Sequence, residues 1–352
     1  MKITDEKQIK DEYTAKLEYL KSNNLNFDDS CIVFVYNSIA KTSNDDLHIS
    51  ECVYEDEIAL IEDAFHAINN LRLYSFDSED EFISLAPELK KQYHNVYVYS
   101  MAQNLSGAGR RCLIPLLCEY YGFINISSNS SSSFLGGNKR LMHDLLQSNI
   151  RMPQRLFLTD VNEALIKNFI SKYNKILLKP NSESASIGIK KFDSSQQFKN
   201  IVSLVRSAIS EYKTVILEEF IEGTEVECTI LPWNGNIFAA PPVKILKDND
   251  YLDYVTVAND NYDFEIYNNN LSNLIIEQAK KAYSILRFDS VGRFDFIVSG
   301  DKAYLFDITP NPTISKCSSA NLSIKFINND DRTIYLILLL NKLLIPSFDK
   351  TK

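Results

Sequence analysis

Two carboxylates near the end of the chain stand where chemistry is plausible: Asp295 in GRFDFIV and Asp307 in YLFDIT. Each sits in an apolar, aromatic-rich run, and the turn residues SGDK separate the runs, so the pattern predicts a hairpin. Pairing of the two strands sets the carboxylates side by side. Held that close they repel unless a cation lies between them, and hard oxygen ligands suit Mg2+, with waters and substrate phosphates completing its shell. Asn311, bracketed by prolines in DITPNP, offers an amide oxygen as a further ligand, and Arg293 offers a charge for a transferring phosphoryl group. The prolines stiffen the exit of the strand.

Two earlier stretches could hold a nucleotide. In ILLKPNSESASIGIKKF a strand ends at Lys179, enters a loop of small polar residues and resumes after Gly188. Small side chains let backbone N–H groups approach an anion, and a strand-end lysine adds a point charge. A plain hairpin has the same appearance, and the order GxxxxGK[ST] of a Walker loop is absent. In VILEEFIEGTEVECTIL the strand ends at Glu218 and Glu219, turns at Gly223 and resumes with Glu225. Acidic groups accept hydrogen bonds from an exocyclic amine or ribose hydroxyls; a solvated turn is the bland alternative. The order favours the first reading: cationic loop, acidic hinge, then paired acids on a hairpin.

The elements that position these residues follow from periodicity. Residues up to Phe27 read as an amphipathic helix with Ile9, Tyr13, Leu17 and Leu20 on one face, a packing or oligomer-contact extension. CIVFVYNS, LRLYSFDS and NVYVYSMAQN read as strands alternating with helices, which implies a parallel sheet covered on both faces. The serine- and glycine-rich SSNSSSSFLGGNK reads as a mobile connection. Mixed helices and strands follow, and from Glu225 onward the pattern is strand-rich, interrupted by helices at NLIIEQAKKAYSIL and RTIYLILLLNKLL.

Composition excludes several functions. A net charge of −9 over 352 residues argues against a nucleic-acid binder. No stretch reaches the roughly 20 apolar residues of a membrane span, and the charged start MKITDEKQIKDEY is unlike a signal peptide, so a cytoplasmic protein is expected. The six cysteines lack CxxC spacing and the four histidines are dispersed, which points to reduced thiols and to neither zinc nor a disulfide framework. A dinucleotide-binding enzyme would need GxGxxG after the first strand, where VYNSIAKTS stands instead.

As an ordered set, these stretches resemble the ATP-grasp superfamily, and in particular the D-alanine–D-alanine ligases, over most of the chain after residue 30. Lys139, in the segment from QNLSGAGRR to MPQ, corresponds to the family's first ATP-contacting lysine. The KPxxxGSSxG stretch falls on Lys179, Ser186 and Gly188. LEEFIEGTE matches the adenine hinge, giving Glu218, the backbone of Glu219, Phe220 and Ile221, and Glu225 at the ribose. Phe306 joins the nucleotide set, and RFDF with DITPNP matches the metal segment of Asp295, Asp307 and Asn311. The resemblance implies a three-domain α/β and α+β fold. Its expected parts are a helical extension (1–30), an N-terminal parallel α/β domain (31–126), a small central α+β lid (127–217) and a C-terminal antiparallel-sheet domain (218–352).

The implied activity is ATP- and Mg2+-dependent ligation of a carboxylic acid or amino acid to an amine through an acyl phosphate, with Arg293 and Lys179 as catalytic groups. Small molecules are the partners, and a homodimer is compatible with this reading. The alternative is a degenerate relative that binds nucleotide in a regulatory or scaffold role. Departures from the family pattern are specific: Asp307 replaces Glu, Thr309 replaces Asn, Ala185 replaces a serine, Thr313 replaces a glycine, and Val257 stands where a lysine meets the terminal phosphate. Lys244 or Lys247 is the expected substitute for that lysine. Glu51 and Ser318 are the candidate substrate contacts, Glu51 by its correspondence to a glutamate of the family's hydrogen-bond network.

Overall fold

The computed structural model describes residues 6–22, 27–41, 49, 52–103, 107, 109–259 and 261–348. After helix α1 (Glu6–Ser22), the first sheet is built from β1 (Ser30–Val35), α2 (Glu55–His66), β2 (Arg72–Phe76), α3 (Glu79–Gln92), β3 (Asn95–Ser100), α4 (Leu113–Tyr121) and β4 (Ile124–Asn125). Its strands run parallel in the order β2-β1-β3-β4. Strand β1 is buried along its length, as a strand with helices on both faces must be. Cys31, Val33 and Val35 enter one core with α3 and α4, while Ile32 and Phe34 enter another with α2.

Helices α5 (Ser130–Gly136) and α6 (Lys139–Leu146) lead to a second sheet, formed by β5 (Arg155–Leu158), α7 (Glu163–Ile170), β6 (Lys175–Pro180), β7 (Lys190–Asp193), α8 (Phe198–Tyr212) and β8 (Val215–Glu219). It is antiparallel, in the order β5-β8-β6-β7. The third sheet gathers β9 (Thr224–Trp233), β10 (Asn236–Ala239), β11 (Val243–Leu246), β12 (Asp263–Ile266), β13 (Gly292–Ser299) and β14 (Lys302–Pro310), with α9 (Tyr254–Ala258) and α10 (Ser272–Ile285) between them. Its order is β12-β11-β9-β13-β14, with β10 paired to β9. Helices α11 (Ser319–Ile324) and α12 (Thr333–Phe348) complete the chain. The parallel α/β layer followed by two antiparallel sheets is the architecture the sequence implies.

Helices α1 and α12 meet. Ile9 and Tyr13 of α1 are buried in one core with Phe65 of α2, Trp233 of β9 and Leu336 to Leu340 of α12. Glu12 accepts a hydrogen bond from Trp233 Nε1 at 2.8 Å, and Lys16 Nζ lies 4.4 Å from that ring's centroid. The helical extension therefore packs on its own chain. Among the described residues no helix is long and apolar enough to cross a membrane, and the cysteines are free thiols.

One expectation needs correction. The serine-rich run is a helix, α5, capped by the Asn129 side chain, which accepts from Ser132 N–H. Ser132 Oγ donates to the carbonyls of Leu286 and Arg287, and Ser133 Oγ to that of Ser128. Gly136 lies against Pro310, where a Cβ would stand 2.5 Å from the ring. Ser132 and Ser133 are buried hydrogen-bonding groups, and the small Gly136 lets the helix seat on the end of β14.

Candidate active site

Strand periodicity turns two polar rows toward each other. In the second sheet, Val215, Leu217, Ile176 and Leu178 pack under α7 and α8. The alternate residues Arg155, Lys179 and Glu218 therefore emerge on the opposite face. In the third sheet, Val226, Cys228, Phe294 and Phe296 enter the core with α10, which leaves Glu225, Glu227, Arg293 and Asp295 on the other side. Asp307 needs one more device. Strict alternation along β14 would put it with Leu305 in the core, but the register skips Phe306, with Asp295 opposite Asp307 and Phe296 opposite Leu305. This bulge reverses the phase and turns Phe306 and Asp307 out together.

The predicted side-by-side placement of Asp295 and Asp307 thus appears as direct register partners, and Glu227 opposes Asp295 from β9. Arg293 Nε and Nη2 each donate to an Asp295 oxygen at 2.9 Å, and Nε lies 3.3 Å from Glu227 Oε1. Ser319 Oγ donates to Glu227 Oε2. Burial pushes the Glu227 carboxyl up to about 7, against the pull of Arg293. Asp295 is likewise pushed up by burial, opposed by Arg293. At Asp307 burial is outweighed by Lys139, Lys179 and Arg155, which hold the carboxyl below its ordinary range.

Lysines span the gap. Lys139, at the start of α6 behind the Asn138 cap, has Nζ 3.3 Å from Asp307 Oδ2 and donates to the Glu183 carbonyl at 2.9 Å. Lys179 Nζ lies 2.5 Å from Glu218 Oε1 and 5.2 Å from the Phe306 ring centroid. Arg155, whose side chain is fully buried, holds Glu218 Oε2 at 2.6 Å and donates to the Phe306 carbonyl. Burial would raise the Glu218 pKa, yet Arg155 and Lys179 bring it below the ordinary value. Arg155 Nη1 is buried without a hydrogen-bond partner, a donor that a polar ligand edge can satisfy.

The loop between β6 and β7 has left-handed backbone at Ala185 (φ 49°), Ser186 (φ 58°) and Gly188 (φ 71°). Ser186 Oγ donates to the Leu252 carbonyl at 2.8 Å, and a Cβ on Gly188 would stand 2.7 Å from Pro180 Cγ. At the hinge, Glu219 Oε2 accepts from Gln154 N–H, Phe220 N–H donates to the Lys175 carbonyl, and Ile221 follows half-buried. Lys191 Nζ sits 3.9 Å from the Phe220 centroid.

Other candidates fall differently. Asn311 Oδ1 accepts from Ser128 N–H at 2.9 Å. Ser318 caps α11, accepting from Asn321 N–H and donating to the Ser315 carbonyl; its neighbour Ser319 is the one that reaches Glu227. Of the two substitutes for the missing lysine, Lys244 pairs with Glu265 on β12, whereas Lys247 is buried against Glu225. Glu51 lies outside the described residues. Sequence reasoning missed Glu227 and Arg155. Glu227 was legible as the residue two beyond Glu225 on one strand face; Arg155 gave no local signal.

A family profile described as D-ala D-ala ligase C-terminus matches residues 158–326. The D-alanine–D-alanine ligase of Flavobacterium johnsoniae is 26% identical over 213 residues, 59% of this chain and 65% of that protein. The ligase of Petrotoga mobilis is 22% identical over 282 residues, 75% of this chain and 86% of that one. The match to the Flavobacterium johnsoniae protein thus spans less than two thirds of its length. Among solved structures, D-alanyl-alanine synthetase A from Vibrio cholerae superposes with a TM-score of 0.70 at 14% identity, covering 91% of this chain and all of that one. The Bacillus anthracis D-alanine–D-alanine ligase complexed with ATP gives 0.68 at 16% identity, covering 91% and 99%. The profile thus lies over the second and third sheets, and the chain shares the fold of these ligase structures over nine tenths of its length.

Proposed function

We propose that this protein is an ATP-dependent carboxylate–amine ligase that forms an amide or peptide bond, acting in the cytoplasm on amino acids or small peptides. The observation that carries the reading is the bulged pairing of β13 with β14, which turns Asp307 out beside Asp295 and beneath Lys139. The names of the relatives, D-alanine–D-alanine ligases, support the same class. We assign the nucleotide to the cleft between the second and third sheets and keep the boundaries 31–126, 127–217 and 218–352 for the three domains.

The residues fit both groups the reaction needs. For the purine there are the Phe306 ring, the Glu218 carboxylate and the unsatisfied Arg155 N–H. For magnesium there are Asp295 and Asp307, a pair of hard oxygen donors, which suffices because this ion is usually held by one or two carboxylates plus phosphates. Among the described residues no group of three or more His, Cys, Asp or Glu is disposed to hold a metal, so an all-protein cage is not invoked. When bound, magnesium supplies neutralisation of phosphate charge that would otherwise repel an incoming carboxylate.

Two steps balance. A carboxylate oxygen attacks the γ-phosphorus and the bond to ADP breaks; the amine nitrogen then attacks the acyl carbon, and phosphate leaves with its oxygen while the amine gives up a proton. Lys139, Lys179 and Arg293 stabilise charge as it shifts, and removing one such donor typically costs about 10²–10³ in rate. No side-chain nucleophile is required. Asp295→Asn should abolish Mg2+-dependent ADP formation with an amino-acid panel while leaving the circular dichroism spectrum unchanged. Near-normal turnover in that variant would remove Asp295 from the metal site.

A further inference from the structure

The cleft has a third wall. The turn before α4 carries adjacent arginines that reach in opposite directions. Arg111 Nη1 donates to the Pro310 carbonyl at the end of β14, and its Nε to Gln103 Oε1. Arg110 crosses to the loop between β6 and β7, where Nη1 donates to Glu183 Oε2 at 3.0 Å and Nη2 to Ser184 Oγ at 2.5 Å. This ion pair links the parallel sheet to the central one, and it is well shielded, with side chains 6% and 15% exposed. The Glu183 carbonyl accepts from Lys139, which pairs with Asp307. Arg110 is therefore the first member of a chain of contacts that ends on the carboxylate row.

The loop it grips is one that needs gripping. Ala185 and Ser186 hold left-handed backbone conformations that non-glycine residues keep only when their surroundings impose them. Ser186 is tied on one side to Leu252. On the other side, Glu183 and Ser184 are tied by Arg110.

We propose that Arg110 is a positioning residue for the ligation: through Glu183 and Ser184 it locks the loop over the phosphates against the N-terminal sheet. Water is thereby shut out while the acyl phosphate exists. The proposal rests on the ligase reading for its chemistry, although the clamp itself can be tested without it. Loosening the loop admits water, whose attack on the acyl phosphate returns the acid and phosphate, so ATP is consumed without amide.

Amide hydrogen exchange on the full chain with ATP present reads the loop directly. Arg110→Gln and Glu183→Gln should each speed exchange at residues 182–188 by about tenfold, the scale of one charge-assisted hydrogen bond. The swapped pair R110E/E183R should slow it again. Arg110→Lys, which keeps the charge but not the second donor to Ser184, should fall between. In the ligation assay R110Q should raise the ratio of ADP to amide, whereas a residue with only a structural role would lower both together. Unchanged loop exchange in R110Q, a swap as fast as the single variants, or faster exchange spread equally through β1 overturns the clamp. Loss of protection confined to the loop in R110Q, when the wild-type protein itself makes no amide, supports the clamp and counts against the ligase reading alone.

Discussion

Glu218→Gln probes the electrostatic logic of the cleft most sharply. The wild-type carboxylate is 2% exposed and shared by two cations, Lys179 at 2.5 Å and Arg155 at 2.6 Å. A glutamine can accept on one side only; on the other its NH2 group faces an ammonium or a guanidinium. Two buried cations would then lean on Asp307, a carboxylate that interacts with both. Removing one partner of a buried pair typically costs about 3–5 kcal/mol, and because Arg155 keeps its bond to the Phe306 carbonyl, we expect about 3 kcal/mol, the lower end of that range. Urea unfolding measures it. In the double variant R155M/E218Q one of the stranded cations is gone, so its destabilisation should fall short of the sum of the singles by at least about 1 kcal/mol. The sign with pH follows from the depressed Glu218 pKa. Its stabilisation is fully present above the unfolded value of about 4.3 and is lost as pH falls through the folded one. The gap between wild type and E218Q should therefore close in acid. Single and double variants that add to within about 0.5 kcal/mol, or a gap that persists unchanged at low pH, would refute the reasoning.

Two further substitutions test backbone positions that hold the site. Gly188→Ala combines a left-handed φ of 71° with a Cβ 2.7 Å from Pro180 Cγ, and strain plus overpacking should cost about 2–4 kcal/mol with weaker ATP binding by calorimetry. Gly136→Ala drives a Cβ to 2.5 Å from Pro310 Cδ; it should cost about 1–3 kcal/mol in thermal unfolding and lower kcat more than it raises KM, because the displaced residue anchors the strand bearing Asp307.

Much of this was legible in the sequence because it depended on local pattern. The alternation in GRFDFIV and EVECTIL placed strands, and the order of lysine, glutamates and aspartates carried the resemblance to the ligases whose fold the chain shares. What stayed hidden depended on partners distant in the chain. The serines of α5 looked like a linker because the acceptors of Ser132, Leu286 and Arg287, lie more than 150 positions away. Arg155 and Arg110 carry no local signal; only the fold brings them to Glu218 and Glu183. The bulge at Phe306 has no signature in YLFDIT, yet without it Asp307 would point into the core. Asn311 likewise has a partner its residue type does not announce: at a left-handed backbone (φ 49°) its amide oxygen accepts from Ser128 N–H.

The most direct test of ligation through an acyl phosphate follows the oxygen atoms. An amino-acid substrate labelled with 18O in its carboxylate, incubated with ATP, Mg2+ and an amine acceptor, should yield inorganic phosphate carrying one labelled oxygen for each amide formed, with ADP in equal amount. Phosphate free of label, with its new oxygen drawn from water, would contradict attack by the carboxylate on the γ-phosphorus.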